Sequence, residues 1–339
     1  MRSRLVAFAV IALACALVLW PPRPARHDLR ITFIDVGQGD AILVQTPRGH
    51  SLMIDTGGKL ERGKTLEGAS VAEEVGERVV VPFLIRQGIH HVDAILLTHP
   101  HGDHVGGIAP IIRTLGADVF FDSGQEYGGH AYRDALDEAR RHRVRIVGPR
   151  AGDIWRTDDG VTLRFLTGVD VSVDDPKDEI NENSLVAMLE CACGRARPFR
   201  ALFMGDAGKV AERLLLARHA DVRADLLKVG HHGSRYASSP EFLRSVGAHD
   251  AVISDGRHNL YHHPAPETLR ALSAARMHVW RTDLCGAIVV SVAAGIAIEP
   301  TVPATCPSGP AAQAAPACGQ SSDKLTRLQS LPISGECPE

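Results

Sequence analysis

Ile95-Leu96-Leu97-Thr98-His99-Pro100-His101-Gly102-Asp103-His104-Val105-Gly106-Gly107 places three imidazoles and a carboxylate directly after an apolar run. Val92–Leu97 reads as a buried strand running out into a polar loop. Imidazole nitrogens and carboxylate oxygens are the usual ligands of zinc and similar divalent ions. In an extended loop His99 and His101 point the same way, so both can grip one ion. Asp103 and His104, around the ensuing bend, can grip a second. Gly106 and Gly107 let the chain turn sharply into the next helix. A loop of solvated histidines with Asp103 as a helix cap is the bland alternative, and four ligand-type residues at this spacing argue against it.

Two other strand ends carry the same chemistry. Ala201–Met204 runs into Gly205-Asp206, and a carboxylate there has two oxygens with which to bridge two ions. Leu226–Val229 runs into Gly230-His231-His232-Gly233-Ser234. Adjacent histidines point to opposite sides, so one is expected to be a ligand and the other to face substrate or pack. Three strand ends delivering His and Asp are what a dinuclear centre at one sheet edge requires.

Outward from these segments, short apolar strands alternate with turns and helical stretches from Leu29 to about Glu299. Leu29–Val36, Ala41–Gln45 and Ser51–Asp55 read as consecutive strands. Val119–Asp122, Val144–Val147, Val161–Leu166, Leu185–Glu190 and Ala251–Ser254 continue the series. Helical segments are expected at Ile108–Leu115, Ala131–Arg143, Lys209–His219, Glu241–Val246 and Pro266–Arg276. Hairpins first and helices between later strands predict a layered α/β sandwich rather than an all-parallel sheet. Gly58–Glu77 is polar and reads as a surface insertion over the site.

The 339 residues are 45% hydrophobic with a formal net charge of −3, so one large domain with a real core is expected. There is no basic excess to demand nucleic acid, yet ions in a cleft supply positive charge that no residue count records. Residues 1–27 hold Arg2, Arg4 and an uncharged run from Leu5 to Trp20, which predicts a signal peptide or single membrane anchor. Either places the body outside the cytoplasm, periplasmic, on the outer face of the membrane or secreted. Six of the seven cysteines lie beyond that segment, a number compatible with disulfides in an oxidising compartment. Cys191-Ala192-Cys193 has the wrong spacing for a zinc knuckle and reads as a strand end or a local bridge. The catalytic domain is assigned to residues 28–300. Residues 301–339, rich in Pro, Ala, Ser and Gly, are expected to form a disordered tail.

The pattern His99-x-His101-x-Asp103-His104 resembles the metal-binding motif of the metallo-β-lactamase superfamily, and Met53-Ile54-Asp55-Thr56-Gly57 looks like its earlier Asp motif. Within that superfamily the chain is most similar to the C-terminal hydrolase domain of the ComEC competence proteins. The shared pieces are Phe33–Ala41, Leu97–Gly107, Asn181–Val186, Phe203–Asp206, Lys228–Ser234 and Asn259–Pro264. The resemblance implies a four-layer αββα sandwich and two divalent metal ions, zinc or manganese. It carries over His99, His101, Asp103, His104 and Asp206 as ligands, with His232 preferred over His231, and Asn183, His231 and His263 as further candidates. Where the wider superfamily often has another histidine before the bridging Asp, this chain has Asn181 and Asn183. A carboxamide oxygen is harder and weaker than imidazole, which tilts one site towards manganese or a labile zinc.

A metal-activated hydroxide attacking a phosphodiester, with DNA as one substrate, is the mechanism this implies. Asp103 and Asp206 would position the nucleophile, and His231 or His263 would protonate the leaving group. Asp40, Ser234, Asn259 and Tyr261 are candidates for holding substrate. Arg140–Arg145 offers either a backbone grip or a solvated helix end. Hydrolysis of a small molecule or envelope component (a phosphorylcholine-type ester, a lactone, a β-lactam) is the competing reading. A non-catalytic metal-binding module of an uptake or secretion assembly is the third. With at most one span, the chain cannot itself be a DNA channel, so uptake would need a separate channel protein. The oligomeric state stays open.

Overall fold

The computed structural model describes residues 28–59, 73–173 and 178–306. The expected leader or anchor at 1–27, most of the expected insertion, and the tail beyond 306 lie outside the described residues. Among the described residues no helix is long and apolar enough to cross a membrane.

Two sheets make the frame. The first contains β1 (Leu29–Phe33), β2 (Ala41–Gln45), β3 (Ser51–Thr56), β4 (Val92–Leu96), β5 (Ala117–Phe121), β6 (Arg145–Val147), β14 (Ile288–Val292) and β15 (Ile296–Pro300), in the order β15-β14-β1-β2-β3-β4-β5-β6. The second contains β7 (Ile154–Arg156), β8 (Thr162–Phe165), β9 (Ala187–Cys191), β10 (Phe199–Phe203), β11 (Leu226–Lys228), β12 (Asp250–Ile253) and β13 (His278–Arg281), in the order β13-β12-β11-β10-β9-β8-β7. The run β3–β6 is parallel, and so is β10–β13.

Successive strand residues face opposite sides, and here both sides are covered. Ile42, Val44, Leu52, Ile54, Ala94 and Leu96 face the space between the sheets, where they meet Leu163, Phe165, Ala187, Leu189, Ala201 and Phe203. Leu43, Met53, Ile95 and Leu97 face outward onto Ile108, Ile111, Ala135 and Ala139 of helices 108–114 and 130–141. On the far side Met188, Leu202, Leu227 and Ile253 pack on helices 209–217, 240–246 and 266–274 through Leu215, Phe242, Leu243 and Leu272. The result is the four-layer αββα sandwich expected from the sequence.

Three details differ. The strand expected over Leu29–Val36 ends at Phe33. Strands β7, β13, β14 and β15 had no counterpart in the sequence reading, because their pairing depends on distant segments; β14 closes on β1 with Leu29 opposite Val292. The domain also continues past 300, since Cys306 is joined to Cys285, and Cys191 is joined to Cys193. Arg140, Arg141 and His142 pair with Asp137 and Glu138 of their own helix, so that run is a solvated helix end.

Candidate metal centre

Parallel strands end together, and ligands gather outside their carboxyl ends. Here β3, β4, β10, β11 and β12 release Asp55, His99–His104, Asp206, His231–His232 and Ser254 at one edge. Glycine permits the crowding: a Cβ on Gly205, whose φ is +53°, would lie 2.8 Å from the Thr98 side chain. Glu182 takes the backbone N–H groups of Gly208 and Ala211 at 3.1 and 2.8 Å, which fixes the turn after Asp206 onto helix 209–217.

Hydrogen bonds decide which imidazole nitrogens are free. His104 Nδ1–H donates to Asp55 Oδ2 at 2.8 Å, and His232 Nδ1–H donates to the Ser254 carbonyl at 2.8 Å. Their Nε2 lone pairs therefore face each other, 3.3 Å apart and buried. His99 Nε2 and His101 Nδ1 converge in the same way at 3.1 Å. Asp206 Oδ2 stands between the pairs, 3.4 Å from His104 Nε2, 3.4 Å from His232 Nε2 and 3.8 Å from His99 Nε2. Asp103 Oδ2 is 3.5 Å from His232 Nε2. Asp206 Oδ1 is buried without a hydrogen-bond partner. Burial lowers both imidazoles, but Asp206, Asp55 and Asp103 raise His104 well above its ordinary 6.5, and Asp206, Asp103 and Asp40 raise His232. Converging nitrogens and carboxylates that draw protons in between them are a donor set that fits divalent metal. His99, His104 and Asp206 form one close group, and Asp103, His104 and His232 another.

Charge follows the geometry. Burial pushes the Asp206 carboxyl up, but His232, His104 and His231 outweigh it and hold the group well below its ordinary 3.8. Burial keeps His99 well below its ordinary 6.5, hence neutral and able to donate a lone pair. Burial, reinforced by His232 and His231, lowers His263 to about 4.

A cavity of about 190 Å³ opens over the cluster, lined by Gln38, His101, Asp103, Asn181, Asp206, His231, His232, Tyr261 and His263. Both His231 and His232 reach it, because residues 230–233 turn with φ of 47° and 51° at the two histidines. His232 is buried in the cluster, whereas His231 is part-exposed with Nε2 3.9 Å from Asp206 Oδ2. Tyr261 stacks on His263 at 5.7 Å at the mouth.

Four candidates sit elsewhere than the sequence reading put them. Asp40 is buried beside the imidazoles, paired with Lys228, and does not line the cavity. Asn259 spends its amide on its own loop, taking N–H from Tyr261 and His263 and donating to Gly256 and His263 carbonyls. Ser234 is buried, and its hydroxyl accepts from Tyr236 N–H. Asn183 has its amide engaged by Val173 and Glu179 backbone groups and does not line the cavity. Asn181 faces the cavity instead, with Oδ1 buried and unpartnered. Lys228 is a functional position that the sequence reading lacks, although a lysine inside the apolar strand Leu226–Val229 is the available signal.

Residues 34–186 match the metallo-β-lactamase superfamily model. ComE operon protein 3 of Bacillus subtilis is 31% identical over 261 residues, 76% of this chain and 32% of that protein. Competence protein ComA of Neisseria gonorrhoeae is 27% identical over 289 residues, 85% of this chain and 36% of its own length. The chain thus spans about a third of the curated relatives it matches. A solved variant of the CmlA β-hydroxylase shares the fold alone, with TM-score 0.50 and 12% identity over 79% of this chain and 55% of that one. Sequence match and backbone frame lead to one placement: residues 34–186 belong to a metallo-β-lactamase superfamily domain.

Proposed function

We propose that this hydrolase cleaves phosphodiester bonds at a dinuclear divalent-metal centre. The observation that carries the reading is the pair of converging imidazole couples with Asp206 Oδ2 between them. His99, His101 and Asp206 would hold one ion, with the Asn181 carbonyl oxygen completing its shell; Asp103, His104, His232 and Asp206 would hold the other. When bound, divalent ions supply a water nucleophile near neutral pH and neutralise charge on the attacked oxygens.

The chain's own groups do the rest. Asp55 and the Ser254 carbonyl keep two ligand rings in the tautomer that offers Nε2. His231, part-exposed at the cavity with Asp178 Oδ2 3.7 Å from its Nδ1, is the group placed to hand a proton to the leaving oxygen. His263, neutral at pH 7, accepts a hydrogen bond or joins the ligands rather than serving as the acid. Asp40, Asp55, Asp103 and Asp206 oppose only Lys228 in the buried layer. Two divalent ions make that total positive, which favours an anionic substrate over a neutral lactone.

DNA is the substrate we favour, because one curated relative is named a competence protein and another, 26% identical, a recombination protein. Work outside the cytoplasm, beside a membrane and a separate channel protein, is part of the same reading, and the two disulfides support an oxidising compartment. The test is a panel of linear DNA, bis-p-nitrophenyl phosphate, a lactone and a β-lactam with Mn2+- and Zn2+-loaded protein. DNA cleavage that fails in His101→Ala is expected. Turnover of the lactone or β-lactam alone would replace this reading with the small-molecule one.

A further inference from the structure

Lys228 lies at the end of β11 and is fully buried, one strand position from the turn that delivers His231 and His232. Its ammonium pairs with Asp40 and donates to the Gly205 carbonyl at 3.0 Å. Asp40 comes from the β1–β2 loop of the other sheet, so one cation ties both sheets to the strand end that carries Asp206. Asp40 Oδ2 is 3.8 Å from His104 Nδ1, and Oδ1 is 3.6 Å from His232 Nδ1. Those nitrogens already have closer acceptors in Asp55 and Ser254, so the Asp40 charge is not spent on them.

Asp40 also belongs to two close groups of ligand atoms, one with Asp206 and His232 and one with Asp55 and His104. The inner side of the cluster therefore offers a further position suited to a cation. A carboxylate this deep needs a countercharge, because an unpaired buried ion is strongly unfavourable.

We propose that Lys228 is the built-in cation of this inner position. It holds Asp40 out of the ligand set, so that divalent ions are confined to the two outer positions, and it fixes the Gly205 carbonyl that aims Asp206. Lys228 is thus a positioning residue. The inference rests on the reading of the cluster as a metal centre. A compact ammonium on a flexible stem suits the role.

Charge gives a sign pattern that a merely structural role does not. Lys228→Met removes a positive charge beside the ions and is expected to tighten Mn2+ binding by about tenfold, as ~1.4 kcal/mol of altered Coulomb energy would. Asp40→Asn leaves Lys228 unopposed and should weaken Mn2+ binding by about tenfold. The double variant should return to within about threefold of wild type, since the two charges act as a unit. Mn2+ affinity is read on the full chain by competition with a fluorescent chelator, without any substrate.

Both single variants weakening Mn2+ binding, or neither changing it, would overturn the proposal. If Lys228→Met does not fold, Asp40→Asn alone decides, and unchanged or tighter binding overturns it. Wild-type protein that takes up no Mn2+ would instead remove the metal-centre reading, and this inference with it.

Discussion

His104 Nε2 and Asp206 Oδ2 stand 3.4 Å apart, although one follows β4 in the first sheet and the other follows β10 in the second. The contact joins the two halves of the sandwich at the point where the proposed ions would be shared. Asp206→Asn keeps the shape but replaces one oxygen with a donor facing lone pairs. Divalent affinity should fall by more than about 100-fold, since even residues outside a ligand set cost roughly 10–100-fold. The melting temperature of chelator-treated protein at neutral pH should fall as well, because the imidazoles that hold the Asp206 carboxyl below its ordinary value stabilise it only when it is ionised. A variant that still binds two ions tightly would contradict the bridging role.

Asp55 never reaches the cavity, yet it takes Thr98 N–H at 2.8 Å, Thr98 Oγ1–H at 2.7 Å and His104 Nδ1–H at 2.8 Å. It orients one ligand ring and the start of the ligand loop together. Its φ of 52° is tolerated by asparagine, so Asp55→Asn tests the carboxylate without forcing the backbone. Metal affinity is expected to drop roughly 10–100-fold with the circular dichroism spectrum unchanged. Unaltered affinity would mean that the ring is held by packing alone.

Asn181 and Asn183 should separate cleanly. Asn183 closes backbone groups of Val173 and Glu179. Asn183→Ala should cost about 1–3 kcal/mol of stability by urea denaturation, with metal stoichiometry intact. Asn181 lines the cavity and donates to Asp178 at 2.8 Å, while its Oδ1 is buried without a hydrogen-bond partner. Asn181→Ala should leave stability nearly unchanged and weaken one of the two ions. The reverse outcome would reinstate Asn183 as the ligand.

That pair also marks where reading the sequence runs out. His99, His101, Asp103 and His104 are legible because one loop carries them, and ligand chemistry restricts what such spacing can mean. Asp206 and His232 are legible because each follows an apolar strand with a glycine. The choice between Asn181 and Asn183 depends on a one-turn helix at Glu179–Glu182, which turns residues two apart to different sides. Asp40 looked like a substrate contact since burial under another sheet's lysine is a tertiary fact, 188 positions away in pairing and invisible to local pattern. Strands β13 to β15 escaped for a related reason: Ile296 and Ala297 of β15 are exposed, so that strand shows no buried alternation, and the partners of β14 and β15 are fixed only when β14 meets β1.

Asp255 gives a test in which pH is the variable. Neither of its carboxylate oxygens finds a hydrogen-bond partner, while Arg281 spends two N–H groups on Asp283 at 2.9 and 2.6 Å. Burial, and then the Asp283 charge, raise the Asp255 carboxyl well above its ordinary 3.8. A carboxyl raised on folding keeps a proton that the unfolded chain has released, so its contribution to stability is present at low pH and lost as pH rises towards the raised value. Asp255→Asn is neutral at every pH and can offer an amide N–H where the protonated acid offers its O–H. Its urea midpoint should gain on wild type as pH rises above the ordinary carboxyl value in chelator-treated protein. Parallel midpoints across that range would mean that Asp255 folds already ionised, with Arg281 shared between both carboxylates.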